Sequence, residues 1–138
     1  MIYDPYVWFT PMYMLKCIHD TYEHYKTSKE KMSSEMQKAL NEAWATAIAC
    51  FGFNAQLHNE FRLQLVSPKE QSPDTRVLYQ LPIPKDYKYE SNGAYWDIEV
   101  VTLDEHSPEK YVDDFLLRTK LASTKSYDHK TIILCFIN

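Results

Sequence analysis

The sequence predicts a mixed α/β domain, on three observations. Apolar residues recur at helical spacing through most of the first 52 residues, and they alternate with polar residues in the segments that follow. A last helical stripe then separates these segments from a final apolar run at 131–137. The order is helix, helix, three strands, helix, strand. A chain of 138 residues can bury one hydrophobic core without disulfides or metal ions.

Two helices are predicted in the N-terminal half. The first covers 12–26, where apolar side chains repeat every three or four positions. The polar patch "KTSKEKMSS" follows it, and Ser34 and Gln37 then have the spacing of a capping box. The stripe of the second helix consists of Met36, Leu40, Trp44, Ala47, Ile48 and Phe51. Gly52 is expected to end this helix.

Strand patterns begin directly after Gly52. "FNAQLH" and "FRLQLV" alternate, which predicts a strand or a hairpin arm, and "TRVLYQLPI" predicts a second strand. Asn92-Gly93 marks a turn before "AYWDIEVVTL", the most strand-like segment. Ser107 and Pro108 are expected to open the third helix. "TIILCFI", apolar on both faces, is expected to be a buried strand.

Composition narrows the setting of the protein. The net charge of -4 does not favour a general nucleic-acid binder. Cys17, Cys50 and Cys135 are scattered and form no CxxC pair, which favours reduced thiols in the cytoplasm or nucleus and no zinc site. No apolar run approaches the roughly 20 residues of a membrane span. The apolar ending "KTIILCFIN" suggests part of a longer chain.

Two carboxylates stand in the middle of the most strand-like segment. Asp97 and Glu99 are two positions apart, so both project from one face of the strand. Such neighbours repel each other unless a cation compensates them, and each is costly to bury alone. Mg²⁺ or Mn²⁺ would offset this cost, because Mg²⁺ in particular prefers oxygen ligands. Asp74, at the start of the preceding strand, is placed to add a third carboxylate.

These residues resemble a nuclease signature. Pro73-Asp74, a strand, a polar turn and a strand with "DIEVV" are similar to the motif of the PD-(D/E)XK, or restriction-endonuclease-like, superfamily. The resemblance covers 34–138 and implies a core of helix, three-stranded meander, helix and strand, with 1–33 as an extra N-terminal helical extension in the same compact domain. It also implies that Asp74 and Glu99 hold a divalent metal ion. Glu42, on the preceding helix, matches an additional acid found in some members.

The sequence departs from the family motif at one position. The family places a lysine two residues after the glutamate, where it helps to position the attacking water, and this chain has Val101 there. Arg76 and Lys120 are the cations considered as replacements, although an arginine is a poor general base. Pro84-Lys85-Asp86 is a competing position for the Pro-Asp element.

Three functions follow as hypotheses. The first is a nuclease-like domain without catalysis that binds nucleic acid or protein within a larger protein. The alternative is an active Mg²⁺- or Mn²⁺-dependent endonuclease acting on DNA or RNA. The third is an unrelated α/β fold in which Asp97 and Glu99 simply face solvent.

Site residues are predicted on the nuclease hypothesis. The catalytic residues would be Glu99, Asp74 and Lys120, and the metal ligands would be Asp74, Asp97, Glu99 and Glu42. The nucleic-acid contacts would be Lys110, Arg118, Lys120 and Lys125. A protein partner would bind the aromatic N-terminus at Tyr6, Trp8 and Phe9.

Overall fold

A computed structural model of the chain describes residues 7–57, 61–66, 73–80, 93–103, 106–121, 126–127 and 130–137. It confirms the mixed α/β class and the order of the elements. The elements are α1 (Pro11–Thr27), α2 (Ser34–Leu57), β1 (Phe61–Leu65), β2 (Thr75–Gln80), β3 (Gly93–Leu103), α3 (Val112–Thr119) and β4 (Thr131–Ile137). None of the described helices is long and apolar enough to cross a membrane.

The four strands form one mixed sheet in the order β1-β2-β3-β4. β1, β2 and β3 make an antiparallel meander, in which Val77 pairs with Leu63 on one side and with Trp96 on the other. β4 pairs in parallel with β3, from Asp97–Thr131 to Leu103–Ile137. A parallel neighbour requires a crossover connection, and α3 lies within it.

The hydrophobic core lies between α2 and one face of the sheet, since α2 contacts all four strands. Leu40 and Ala43 of α2 are completely buried, as is Leu63 of β1. Met14 and Ile18 of α1 belong to the same cluster, so α1 packs into the common core. Burial of one such large side chain stabilises the fold by about 1.5–3 kcal/mol.

The N-terminal segment before α1 is attached to the sheet. Phe9 exchanges two backbone hydrogen bonds with Leu63, of 2.7 and 2.8 Å, and its ring packs against the core. Thr10 then caps α1, because its side chain accepts a hydrogen bond from the Tyr13 N–H at 3.3 Å. Trp8 is half-buried, and Tyr6 lies outside the described residues.

Gly52 does not end α2, so two sequence predictions are wrong. The helix continues to Leu57, which makes most of "FNAQLH" helical rather than extended. Tertiary contacts explain the extension. The Phe53 ring lies 5.7 Å from the Phe61 ring, and the Asn54 Oδ1 accepts a hydrogen bond from the Phe61 N–H at 2.7 Å. These contacts offset the weak helix propensity of one glycine.

Two further predictions are wrong at the C-terminal end. α3 begins at Val112, with Tyr111 at its N-cap, rather than at Ser107. Glu109 therefore lies before the helix, where its carboxylate is paired with Arg118 near the end of α3. β4 is half-buried along its length rather than fully buried, and Ile137 is 65% exposed. The reason is that β4 has only β3 as a neighbour in the described sheet.

Candidate active site

Asp74 lies directly before β2 and contacts β3 through both its backbone and its side chain. Its N–H donates to the Ile98 carbonyl at 3.0 Å, and its Oδ2 accepts from the Val100 N–H at 2.7 Å. Asp74 therefore bonds to both chain neighbours of Glu99. Because a strand directs the N–H and C=O of one residue to the same side, the Val100 carbonyl also faces the Asp74 side of β3.

Glu99 is a buried carboxylate paired with a lysine from another element. It is 5% exposed, and the Lys120 Nζ donates to its Oε2 at 2.5 Å. Lys120 directly follows α3, so the C-terminal end of that helix brings the ammonium to β3. Ile98 and Val100 belong to the core on the α2 side, and Glu99 projects from the opposite face.

Of the two cations considered as replacements for the missing lysine, only Lys120 contacts Glu99 in the described structure. The Nε of Arg76 lies 3.3 Å from the Oδ1 of Asp97. Asp97 and Glu99 thus share a strand face but have different partners. Val101, at the motif lysine position, is buried. Pro84-Lys85-Asp86 lies outside the described residues.

Glu42 brings a third carboxylate close to Asp74 from α2. Burial raises the pKa of Glu42 above 4.5, and the negative charge of Asp74 raises it further. Lys38, whose Nζ is 3.4 Å from the Glu42 Oε1, lowers the pKa again, as does the charge of Lys120. The carboxylates of Glu42 and Asp74 are therefore close enough to repel each other.

Lys120 is a protonated lysine held by these acids. Burial acts to lower its pKa, but the hydrogen bond and charge of Glu99, together with the charge of Asp74, outweigh this effect. The pKa of Lys120 consequently lies above 10.5. Its ammonium can donate hydrogen bonds and offset negative charge.

The four predicted metal ligands do not form one ready cluster. In the described ranges, no three His, Cys, Asp or Glu side chains are placed to hold one metal ion. Asp74 is hydrogen-bonded to Val100, the residue after Glu99, and its charge acts on both Glu42 and Lys120, whereas Asp97 is paired with Arg76. Mg²⁺ usually binds through one or two protein carboxylates together with waters and substrate phosphates. Asp74 and Glu99, with the Val100 carbonyl beside them, fit that requirement.

Two buried threonines connect the elements that carry these acids. Thr46 of α2 and Thr75 of β2 are at most 1% exposed, and their hydroxyl oxygens are 2.9 Å apart. Thr46 also donates to the Glu42 carbonyl at 2.9 Å. Since each hydroxyl has a single proton, Thr75 must donate to Thr46. No sequence pattern predicted this pair; its only signal is a threonine between Ala45 and Ala47 in the helix.

The predicted nucleic-acid contacts have different surroundings where the structure describes them. Arg118 makes two bonds to Glu109, while Lys110 is exposed on the segment before α3. Lys120 faces Glu99, and its side chain is only 16% exposed. Lys125 lies outside the described residues.

Comparisons with protein-family models, with curated proteins and with solved structures found no match. No relative therefore indicates an activity for this chain. Any assignment of function rests on Asp74, Glu99, Lys120 and their surroundings.

Proposed function

We propose that this chain is a nuclease-like domain of the PD-(D/E)XK kind that hydrolyses nucleic-acid phosphodiester bonds with Mg²⁺ or Mn²⁺. The observation that carries the proposal is the contact of Lys120 with Glu99, next to Asp74. Together these residues supply the two acids and the lysine of the family motif, with Lys120 in place of the motif lysine, whose position is occupied by Val101.

The topology supports the same proposal. A helix, a three-stranded antiparallel meander, a helix and a strand parallel to the third strand occur here in that order. This is the order that the motif resemblance implies for a restriction-endonuclease-like core. α1 precedes it as the additional helix, packed on α2 and β1.

The chemistry divides between the metal ion and the chain. Asp74 and Glu99 would hold the ion, which when bound activates water and neutralises charge on the phosphate. Lys120 would donate a hydrogen bond to a phosphate oxygen or orient the attacking water. Glu42 places a carboxylate of raised pKa beside Asp74, where it would accept a hydrogen bond from metal-bound or bulk water.

Cleavage of nucleic acid tests this proposal. Single-stranded and duplex DNA and RNA are incubated with the protein in Mg²⁺, Mn²⁺ or EDTA. We expect metal-dependent cleavage that falls at least 100-fold in Glu99→Gln and in Lys120→Met, because removal of one catalytic donor costs on the order of 10²-fold. Asp97→Asn is the matched control, since Asp97 is an acid on the same strand face that is paired with Arg76. Equal residual cleavage by all four proteins would refute the assignment.

A second candidate is a nuclease-like domain without catalysis that binds nucleic acid or protein in a larger intracellular protein. Its support is that Glu99, Glu42 and Asp97 each already have a cationic partner. On this hypothesis the protein cleaves nothing in any metal ion. Any nucleic acid it binds is bound equally well in EDTA.

A further inference from the structure

A cleft lies beside the candidate active site, between the N-terminal half of α2 and the end of β3. It consists of two adjoining cavities of about 360 and 270 Å³ that share Asn41 and Thr102 as lining residues. One end is bordered by Glu42, and the other is bordered by Trp44 and Phe136. We refer to it as the α2–β3 cleft.

An indole ring borders the far end of the α2–β3 cleft. Trp44 is 39% exposed, although it lies on the main helix of the core. Its ring is held edge to face by Phe136 of β4, with 5.1 Å between centroids and 83° between planes. An exposed aromatic ring in a fixed orientation is a stacking surface for a planar ligand, and any nucleobase can stack on it.

Polar groups in the cleft complement a base and a phosphate. The Asn41 Oδ1 accepts hydrogen bonds from Tyr22 Oη and Gln37 Nε2, both at 3.2 Å, which fixes the orientation of the amide. The Asn41 Nδ2 protons lie outside this network, and an asparagine amide is a common reader of base edges. Lys38 lines the cleft near Glu42, with its side chain 75% exposed, and its ammonium suits a phosphate.

A nucleotide fits this cleft better than an extended peptide that adds a strand to β3. Asp74 already occupies the Val100 N–H on the β2 side of β3, and β4 occupies the other side. Beyond Asp74, strand alternation leaves only the Val100 carbonyl and the backbone of Thr102 on the β2 side of β3. Strand addition derives its affinity from a longer run of backbone hydrogen bonds.

We propose that the α2–β3 cleft binds one unpaired nucleotide of a single-stranded nucleic acid, with its base stacked on Trp44. The adjoining phosphate then extends past Lys38 towards Asp74, whose charge acts on Glu42 at that end of the cleft. The inference rests on the proposed function and adds a substrate class to it: single strands, or duplex ends whose terminal base has unstacked.

Binding in the absence of cleavage tests the inference. A fluorescein-labelled single-stranded 12-mer of deoxyadenosine is titrated in Ca²⁺ and in EDTA, and its anisotropy is recorded. We expect Trp44→Leu, which retains an apolar side chain but has no ring, to weaken binding at least tenfold. Trp44→Phe should restore most of the affinity. Phe51→Ala is the matched control, because Phe51 is an aromatic residue 50% exposed on the same helix and does not line the cleft.

The outcomes separate this inference from the proposed function. The nucleotide subsite would be overturned if Trp44→Leu bound the single strand as tightly as wild type, or if Phe51→Ala lost as much affinity as Trp44→Leu. The proposed function would then still be tested by the cleavage assay. Tighter binding of an unbroken duplex than of the single strand would also overturn it. If wild type binds no nucleic acid and Trp44→Leu instead changes the oligomeric state, the cleft is a protein interface and both proposals fail.

Discussion

Lys120→Met is the substitution that most sharply tests the Lys120–Glu99 pair as a buried ion pair. The Nζ and the Oε2 are 2.5 Å apart, and the two side chains are 16% and 7% exposed. Methionine retains most of the aliphatic length of lysine but lacks the ammonium. The substitution therefore leaves the Glu99 carboxylate in a buried position without its cation.

The magnitude follows from this burial. Loss of one partner of a buried ion pair costs about 3–5 kcal/mol, and the partial exposure of Lys120 places the cost near the lower limit, about 3 kcal/mol. For a chain of this length the unfolding entropy is roughly 0.3 kcal/mol/K, so Tm should fall by roughly 10 °C. Replacement of both residues by methionine should restore most of the loss, because no charge then remains buried.

Urea unfolding followed by circular dichroism measures these free energies in a double-mutant cycle. Lys26→Met is the control, because Lys26 forms a 3.3 Å pair with Glu23 in which the side chains are 74% and 47% exposed. It should cost less than about 0.5 kcal/mol. Since the folded state raises the pKa of Lys120 above 10.5, its contribution is complete below pH 10.5 and is lost as the pH rises above it. A Lys120→Met cost no larger than that of Lys26→Met would refute the buried pair.

Three further predictions concern the surroundings of the site. Glu42→Gln should raise the free energy of unfolding at pH 7, because burial and the charge of Asp74 both disfavour the Glu42 carboxylate in the folded state. Because the folded state raises the pKa of Glu42, the gain should vanish below pH 4.5, and a gain that persists there would contradict it. Thr46→Val should lower the free energy of unfolding by about 1–3 kcal/mol, because it leaves the buried Thr75 hydroxyl without its hydrogen-bond acceptor. Thr75→Val should cost less, because Thr46 still donates its hydrogen bond to the Glu42 carbonyl. Urea titrations that show the reverse order would reject the inferred direction of the Thr75–Thr46 hydrogen bond. Burial raises the pKa of the free thiol of Cys50 to about 12, so iodoacetamide at pH 8 should leave Cys50 unmodified until the protein unfolds. Peptide mass spectrometry measures the modification, and rapid labelling of Cys50 in the native protein would contradict the prediction.

Hydrophobic periodicity was sufficient to predict much of the fold. Alternation over 75–80 and 94–103 located β2 and β3, and an apolar run located β4. It could not show that β4 lies at the edge of the described sheet, because burial depends on neighbours that a local pattern does not contain. Gly52 misled the helix prediction for a similar reason, since the contacts of Phe53 and Asn54 with Phe61 join segments that local propensity treats separately.

The candidate site was only partly accessible from sequence. The spacing of Asp74 and Glu99 on neighbouring strands suggested that they approach each other, because antiparallel pairing has a regular register. The partner of Glu99 depends on where α3 ends and how it crosses β3. The sequence alone could not decide between Arg76 and Lys120, and the structure shows that Lys120 is the partner. The approach of Glu42 to Asp74 depends on how α2 packs over the sheet, which the Thr46 hydroxyl helps to fix.

Calorimetric titration of the protein with Mn²⁺ tests the central claim that Asp74 and Glu99 hold a divalent ion. Asp74→Asn keeps the shape of the side chain and an acceptor for the Val100 N–H but removes the charge. We predict saturable Mn²⁺ binding by the wild type, at least tenfold weaker binding by Asp74→Asn, and unchanged binding by Asp97→Asn. Absence of binding by the wild type, or identical affinities for the three proteins, would contradict the claim.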